Sequence, residues 1–389
     1  MNYTRLAEAG DNMSKLARVL FITAPIGSGH IRAAQAISKA VHEQSPQADT
    51  FIANIFDFIN PAIGGAILKV YLKVLEYLPQ AYGMAYGWGN SNKLALLGRE
   101  YISRYMAGKM RNFIDKYSPS VIVCTHATPA GMVAQLIKQQ RLNVPSFAAV
   151  TDFTVHRLWI YPELDYYFVA NSDIQRVLSC CGVSEKQSQA VGIPVDAAFT
   201  SNQDRSSILR TLNLNENQKI ILIMGGGAGV FPLENIALAC DEIDTELQLV
   251  VVAGKNTVMY KKLLDLKPKF RHSLTVLGFV DNIHELMTVS DVLISKPGGM
   301  TSAEALCKGL PMIIYKPIPG QEAANTKYLL EHNAALAVES ISQVKTVLTN
   351  LLIKRPELLR NLRNNALLIG KPNAADIIAR HILAPFTHK

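Results

Sequence analysis

The sequence predicts an α/β protein of two Rossmann-like domains, each with a parallel sheet, facing each other across a cleft. Three observations predict it. Short apolar runs alternate with helical patterns along the chain, as parallel sheets covered by helices require. The plan occurs twice, each copy opening with an apolar run, a glycine-bearing loop and a helix. The 389 residues, 49% hydrophobic, supply two cores at roughly 150 residues per domain.

In order, Val19–Ala24 reads as a strand, Pro25–Gly29 as its glycine loop, and Ala33, Ile37, Ala40 and Val41 as the apolar face of a helix. Phe51–Phe58, Val121–Thr125, Ser146–Val150 and Tyr166–Ala170 follow as buried strands. Gly192-Ile-Pro-Val-Asp196 and the polar linker Thr200–Ser207 close the first half. Lys219–Met224 restarts the pattern, running into Gly225-Gly-Gly-Ala-Gly229. Leu247–Ala253, Leu274–Phe279, Asp291–Ser295 and Pro311–Tyr315 supply later strands, and Asn373–Leu383 a last helix. The expected domains are 1–197 and 198–372, with 373–389 a terminal helix.

Composition excludes several classes. Apolar content is too high for disorder, and five cysteines without a Cys-x-x-Cys spacing are too few for a disulfide framework, so a reducing, cytoplasmic setting is expected. The polar stretch Met1–Arg18 has no signal-peptide core, and Pro61–Leu78 is broken by Lys69, Lys73 and Glu76, so no membrane span is expected. Neither glycine loop completes G-x-G-x-x-G, since Arg32 and Val230 stand in the third position, and no Walker lysine occurs. Dinucleotide cofactors are thereby disfavoured, whereas phosphate binding at a helix N-terminus survives. The net charge of +8 invites an anionic partner.

Three clusters carry chemistry. Gly27-Ser-Gly29-His30 puts an imidazole at a helix start, where protonation is disfavoured and a neutral general base is expected; a helix cap is the plainer alternative. Thr151-Asp-Phe-Thr-Val-His-Arg-Leu-Trp159 follows a strand, with Asp152 and His156 as candidates and Trp159 as ligand wall or core. Ser295-Lys-Pro-Gly-Gly-Met-Thr-Ser-Ala-Glu304 and Lys316-Pro-Ile-Pro-Gly-Gln-Glu-Ala-Ala-Asn325 follow successive strands. There Thr301 and Ser302 are expected to cap a helix whose N–H groups, with Gly298 and Gly299, receive a diphosphate beside Lys296. Glu304 and Glu322 offer acceptors for sugar hydroxyls, and Gln321 and Asn325 offer amides. The plainer reading is a turn followed by helix surface. No metal-ligand constellation is visible, so no bound cofactor and no obligatory metal are expected.

The order Gly-Ser-Gly-His, Thr-Asp-Phe…His…Trp, Gly-Ile-Pro-Val, Lys-Pro-Gly-Gly-Met-Thr…Glu and Pro-Gly-Gln-Glu…Asn resembles glycosyltransferase family 28. The resemblance is to its diacylglycerol glycosyltransferases and extends from about Val19 to Ala335. It implies the two-domain GT-B fold, a UDP-sugar donor on the C-terminal domain, a diacylglycerol or glycolipid acceptor on the N-terminal one, and a last helix that packs back on the N-terminal domain. Carried over, Glu304 holds the ribose, Gln321 and Glu322 the sugar and adjoining phosphate, Phe279 and Val280 the uracil, and Gly226 and Gly227 the phosphates. His30 becomes the base for the acceptor hydroxyl, with Asp152 as competitor. Ser28 interrupts the Gly-Gly-Gly-His of the plant enzymes and leans toward the bacterial branch; glucose is favoured and galactose left open, as is the number of sugars added. The implied reaction inverts the anomeric carbon. A UDP-sugar 2-epimerase, a family 28 transferase acting on a lipid-linked cell-wall precursor, and an inactive UDP-sugar sensor stand as alternatives.

The basic charge concentrates in 66–116, with eight Lys/Arg against Glu76, Glu100 and Asp115. Ile67, Val70, Tyr71, Val74, Leu75 and Leu78 form one apolar helical face, with Lys69, Lys73, Tyr82, Trp88, Arg99 and Arg104 around and beyond it. Such a segment suits an anionic bilayer rather than nucleic acid, giving a peripheral protein on the inner face of the cell membrane, with Gly29, His156 and Trp159 near the acceptor.

Overall fold

The computed structural model describes residues 16–24, 27–58, 107–225 and 231–386. The chain divides into two compact units: unit 1 comprises Met1–Ala197, Pro319–Gln321 and Lys371–Lys389, and unit 2 Ala198–Ile318 and Glu322–Gly370. Lys69, Lys73, Tyr82, Trp88, Arg99 and Arg104, and the loop glycines Gly226 and Gly227, lie outside the described residues.

Unit 1 carries the strands β1 (Arg18–Thr23), β2 (Asp49–Asn54), β3 (Val121–Cys124), β4 (Ser146–Ala149), β5 (Tyr166–Val169) and β6 (Ser188–Ala190). All pair in parallel, in the order β2-β1-β3-β4-β5-β6. Its helices include α1 (Gly29–Gln44), α2 (Ala127–Lys138) and α3 (Ser172–Cys180). The central strands are apolar on both faces because helices cover both. The strand expected at Phe51–Phe58 is shifted: β2 begins at Asp49 and ends at Asn54, whose side chain takes the Phe56 N–H and starts a 3-10 turn.

Unit 2 opens with α4 (Arg205–Thr211), where a linker was expected; the Asp204 side chain caps it by accepting from Ser206 N. Its strands are β7 (Lys219–Met224), β8 (Leu247–Val252), β9 (Ser273–Leu277), β10 (Val292–Ser295), β11 (Met312–Tyr315) and β12 (Ala335–Val338). Their order is β12-β11-β10-β7-β8-β9, again all parallel. The helices after β7 to β10 are α5 (Leu233–Asp241), α6 (Thr257–Leu266), α7 (Ile283–Val289) and α8 (Gly299–Cys307). Those after β11 and β12 are α9 (Gln321–Glu331), α10 (Ile341–Thr349) and α11 (Pro356–Ile369).

The chain then returns to unit 1 as α12 (Ala374–Leu383), which packs on α1. Ile378, Ile382 and Leu383 join Val19, Phe21, Ile37, Phe147 and Phe168 in one core. Gly192 admits this return. Its φ is +104°, and a Cβ there would lie 2.3 Å from Lys371 Cβ, a position only glycine occupies without strain.

The strand orders mark where a ligand site is expected. In unit 1 the chain leaves β1 for β2 and then crosses to β3, so the order reverses between β1 and β3. In unit 2 the reversal falls between β7 and β10. Such reversals open a crevice at the strands' carboxyl ends. His30 follows the first, and the Lys296–Gly299 loop flanks the second.

Candidate active site

The unit 1 site assembles from the carboxyl ends of β1, β3 and β4. Gly29 and His30 open α1 after the loop from β1. His30 Nδ1 lies 2.9 Å from the Thr125 carbonyl, just beyond β3, and 2.8 Å from Thr151 Oγ1, just beyond β4. A carbonyl only accepts, so Nδ1 carries the proton and Nε2 presents a lone pair. Burial lowers the pKa of His30 to about 4, the Thr125 bond opposing only part of that. The neutral imidazole expected from the helix terminus is thus produced chiefly by desolvation.

His126 completes the group. Its ring meets that of His30 edge to face, centroids 4.6 Å apart and planes at 89°. Its Nδ1 accepts from Thr128 N at 3.1 Å as the N-cap of α2, so in the neutral ring the proton sits on Nε2. Burial and the neighbouring His30 push its pKa well down. Sequence reasoning missed Thr125, His126 and Thr151. The available signal was positional: Thr-His follows the apolar run of β3 as Thr-Asp follows that of β4.

Asp152 is buried directly after β4, 5% exposed. His156 is buried and caps the turn Arg157–Trp159, Nδ1 accepting from Leu158 N at 3.1 Å. Trp159 is buried too, its ring centroid 6.4 Å from that of His126. The loop is bolted down by Tyr167, whose hydroxyl donates toward the Trp159 carbonyl at 2.9 Å and accepts from Tyr161 N at 2.8 Å, and by Asn171 Nδ2 donating to the Phe153 carbonyl. It is a fixed wall beside the paired imidazoles.

In unit 2, α8 begins at Gly299 with Gly298 as N-cap and no side-chain cap. Thr301 and Ser302, expected as caps, lie inside the first turn. Ser302 is fully buried, and its hydroxyl has no partner among the described residues. The capping role fails because the chain enters the helix two residues earlier, leaving its first turn without a side-chain cap among the described residues. Asn325 is buried and donates to the Pro297 carbonyl at 3.1 Å, locking the loop to α9. Glu322 accepts from Ile318 N at 2.9 Å; burial raises its pKa, against the pull of Lys296 and that bond. Glu304 is buried on α8; Gln321, the first residue of α9, groups instead with unit 1, where its Nε2 donates to Asp152 Oδ2.

Phe279 is 59% exposed just beyond β9, with Lys255 Nζ 5.4 Å from its ring centroid; Val280 is half-buried beside it. An exposed aromatic at a strand's carboxyl end is an open face for a planar group. Among the described residues no three His, Cys, Asp or Glu are grouped to hold a metal ion, and no helix is long and apolar enough to cross a membrane.

Comparison with known proteins matches these two units to two family descriptions. Residues 30–195 match monogalactosyldiacylglycerol (MGDG) synthase, and residues 220–378 the glycosyltransferase family 28 C-terminal domain. The processive diacylglycerol beta-glucosyltransferase of Bacillus subtilis (strain 168) is 30% identical over 95% of this chain and 96% of its own length. The protein of the same name from Bacillus pumilus (strain SAFR-032) is 31% identical over 91% of each. Among solved structures, Acinetobacter baumannii MurG superposes with a TM-score of 0.63 at 15% identity, covering 95% of this chain and 99% of that one. The S. aureus MnaA–UDP structure follows the same fold at 0.61 and 16%, covering 95% and 96%. The fold is therefore GT-B, and the chain belongs to glycosyltransferase family 28, among the relatives named diacylglycerol glycosyltransferases.

Proposed function

We propose that this protein is an inverting hexosyltransferase that moves glucose from UDP-glucose to the hydroxyl of 1,2-diacylglycerol or of a glycolipid already made from it. The hydrogen bond from His30 Nδ1 to the Thr125 carbonyl carries the mechanism, because it leaves Nε2 as a base. The acceptor hydroxyl gives its proton to His30 Nε2 as its oxygen bonds to the anomeric carbon and the bond to UDP breaks on the opposite face. The imidazolium formed keeps its Nδ1–H on Thr125 and Thr151, which stabilise the charge where it develops. Asp152 stays the competing base, one sequence position from Thr151.

On the donor side, the uncapped N–H groups at Gly298–Gly299 and the Lys296 ammonium suit the leaving diphosphate. Phe279 and Val280 suit the uracil, and Glu304, Gln321 and Glu322 the ribose and hexose hydroxyls. Gly226 and Gly227 are assigned to the phosphates on the family resemblance alone. The basic residues of 66–116 suit attachment to the anionic inner face of the cell membrane. Their test is liposome binding at low salt: neutralising Lys69, Lys73, Arg99 and Arg104 abolishes it, and unchanged binding discards the role.

A donor-by-acceptor assay tests the reaction, offering UDP-glucose, UDP-galactose and UDP-N-acetylglucosamine with and without diacylglycerol in anionic liposomes. UDP release with glucolipid formation that depends on lipid is the expected result. Conversion of a UDP-sugar without lipid would replace this reading with an epimerase. UDP binding without turnover in any well would leave a sensor.

A further inference from the structure

We propose that His126 orients the lipid acceptor, its Nε2–H donating to an ester carbonyl of the acylglycerol beside the attacking hydroxyl. The inference rests on the lipid-acceptor reading above and adds a residue and a chemical preference to it. His30 and His126 meet at 4.6 Å, and each commits Nδ1 to backbone: His30 to the Thr125 carbonyl, His126 to Thr128 N. Neither Nε2 has a hydrogen-bond partner among the described residues. The two nitrogens are chemically opposite, since His30 offers a lone pair and His126 an N–H.

Rings this close place both nitrogens within the span of one acylglycerol head. That head carries two kinds of polar group, a hydroxyl with a proton to give and ester carbonyls that only accept. The hydroxyl matches His30, and a carbonyl matches His126. A neutral N–H suits a neutral carbonyl, whereas an anionic headgroup would call for a cation. Trp159, buried alongside at 6.4 Å from His126, gives the donor an apolar flank. A hydrogen bond there fixes the rotation of the glycerol and so the aim of its hydroxyl.

The experiment compares wild type with His126→Asn and His126→Gln, using UDP-glucose and two acceptors in the same mixed micelles: dioctanoylglycerol and its dioctyl ether analogue, which lacks carbonyls. Asn is a favoured N-cap, so its Oδ1 keeps the acceptor for Thr128 N, while its shorter amide withdraws the N–H from the reach of the imidazole Nε2. The expected result for His126→Asn is a fall of about ten-fold or more in kcat/KM for the diester, carried mostly by KM. Its rate with the diether, its KM for UDP-glucose and its unfolding temperature stay near wild type. His126→Gln, whose amide reaches further, recovers part of the loss. Wild-type kcat/KM on the diester in His126→Asn overturns the proposal, as does an equal loss with both acceptors. No glycolipid from wild type with any acceptor removes the lipid reading itself, and this proposal with it.

Discussion

His30 shows how much a single tautomer decides. With Nδ1 held by Thr125 and the ring desolvated, it is a neutral base from about pH 4 upward. The acid limb of kcat/KM is therefore expected near pH 4, and a profile falling at pH 6.5 would show a solvated ring instead. His30→Ala should lose about 10²- to 10⁴-fold in kcat while UDP affinity stays within a few-fold; equal loss of nucleotide binding would make the residue structural. Glu304→Ala tests the donor side, an unpaired ribose weakening UDP binding by about 1–3 kcal/mol in titration calorimetry. At this scale the sequence was informative where a residue sits in a motif: His30, Asp152, Glu304 and Glu322 stand at strand ends or in the helices that follow. It was blind to Thr125, whose contribution is a main-chain carbonyl that any residue supplies. His126 escaped because one histidine after an apolar run has no partner until β1 and β3 are known to be neighbours.

At the scale of elements, long apolar runs were legible, and the strands from Val19, Lys219 and Leu247 lie within a residue of where the pattern puts them. Two strands were not. β6 is three residues of Ser-Gln-Ala, too polar and too short to alternate, and β12 is four residues between helical patterns. Both are edge strands held by one neighbour, so tertiary pairing creates them. Asp204 signals the α4 cap, but it sits inside the polar stretch Thr200–Ser207, whose composition reads as a linker.

Gly192 carries an element-scale prediction. Gly192→Ala forces a non-glycine residue to φ +104° and drives its Cβ into Lys371 at the approach to α12. The expected loss is about 2 kcal/mol or more in denaturant unfolding. A neutral substitution would mean that α12 packs elsewhere. Ending the chain after Gly370 is harsher, since Ile378, Ile382 and Leu383 each contribute about 1.5–3 kcal/mol by burial.

At the scale of the molecule, two units with separate cores need not unfold as one transition. His30, His126 and His381 all belong to unit 1, and burial lowers the pKa of each. His381 packs among Phe147, Tyr166 and Phe168 at centroid distances of 5.6, 4.3 and 5.2 Å. Between the ordinary value of 6.5 and the lowered native ones, the unfolded chain binds protons that the native unit refuses, so stability falls as pH falls through that window. Calorimetry from pH 7 to pH 5 should lower the transition of unit 1 more than that of unit 2, and added UDP should raise only that of unit 2. Parallel movement of both transitions in both experiments would show that the units melt together. The two-part organisation was legible because the strand–loop–helix pattern restarts at Lys219. The unequal sheet orders were not, since composition does not say on which side of β1 a later strand joins.

The return of α12 also bears on how the chain is made. Unit 2 runs almost unbroken from Ala198 to Gly370, so its sheet can close as soon as those residues leave the ribosome. Unit 1 begins first yet lacks part of its core until Ala375–Leu383 arrive. At about 5–20 residues per second, its earliest strands wait tens of seconds with one apolar face only partly covered, by α1. The half synthesised first is the half finished last, and it is there, rather than in unit 2, that a nascent chain needs a chaperone's cover.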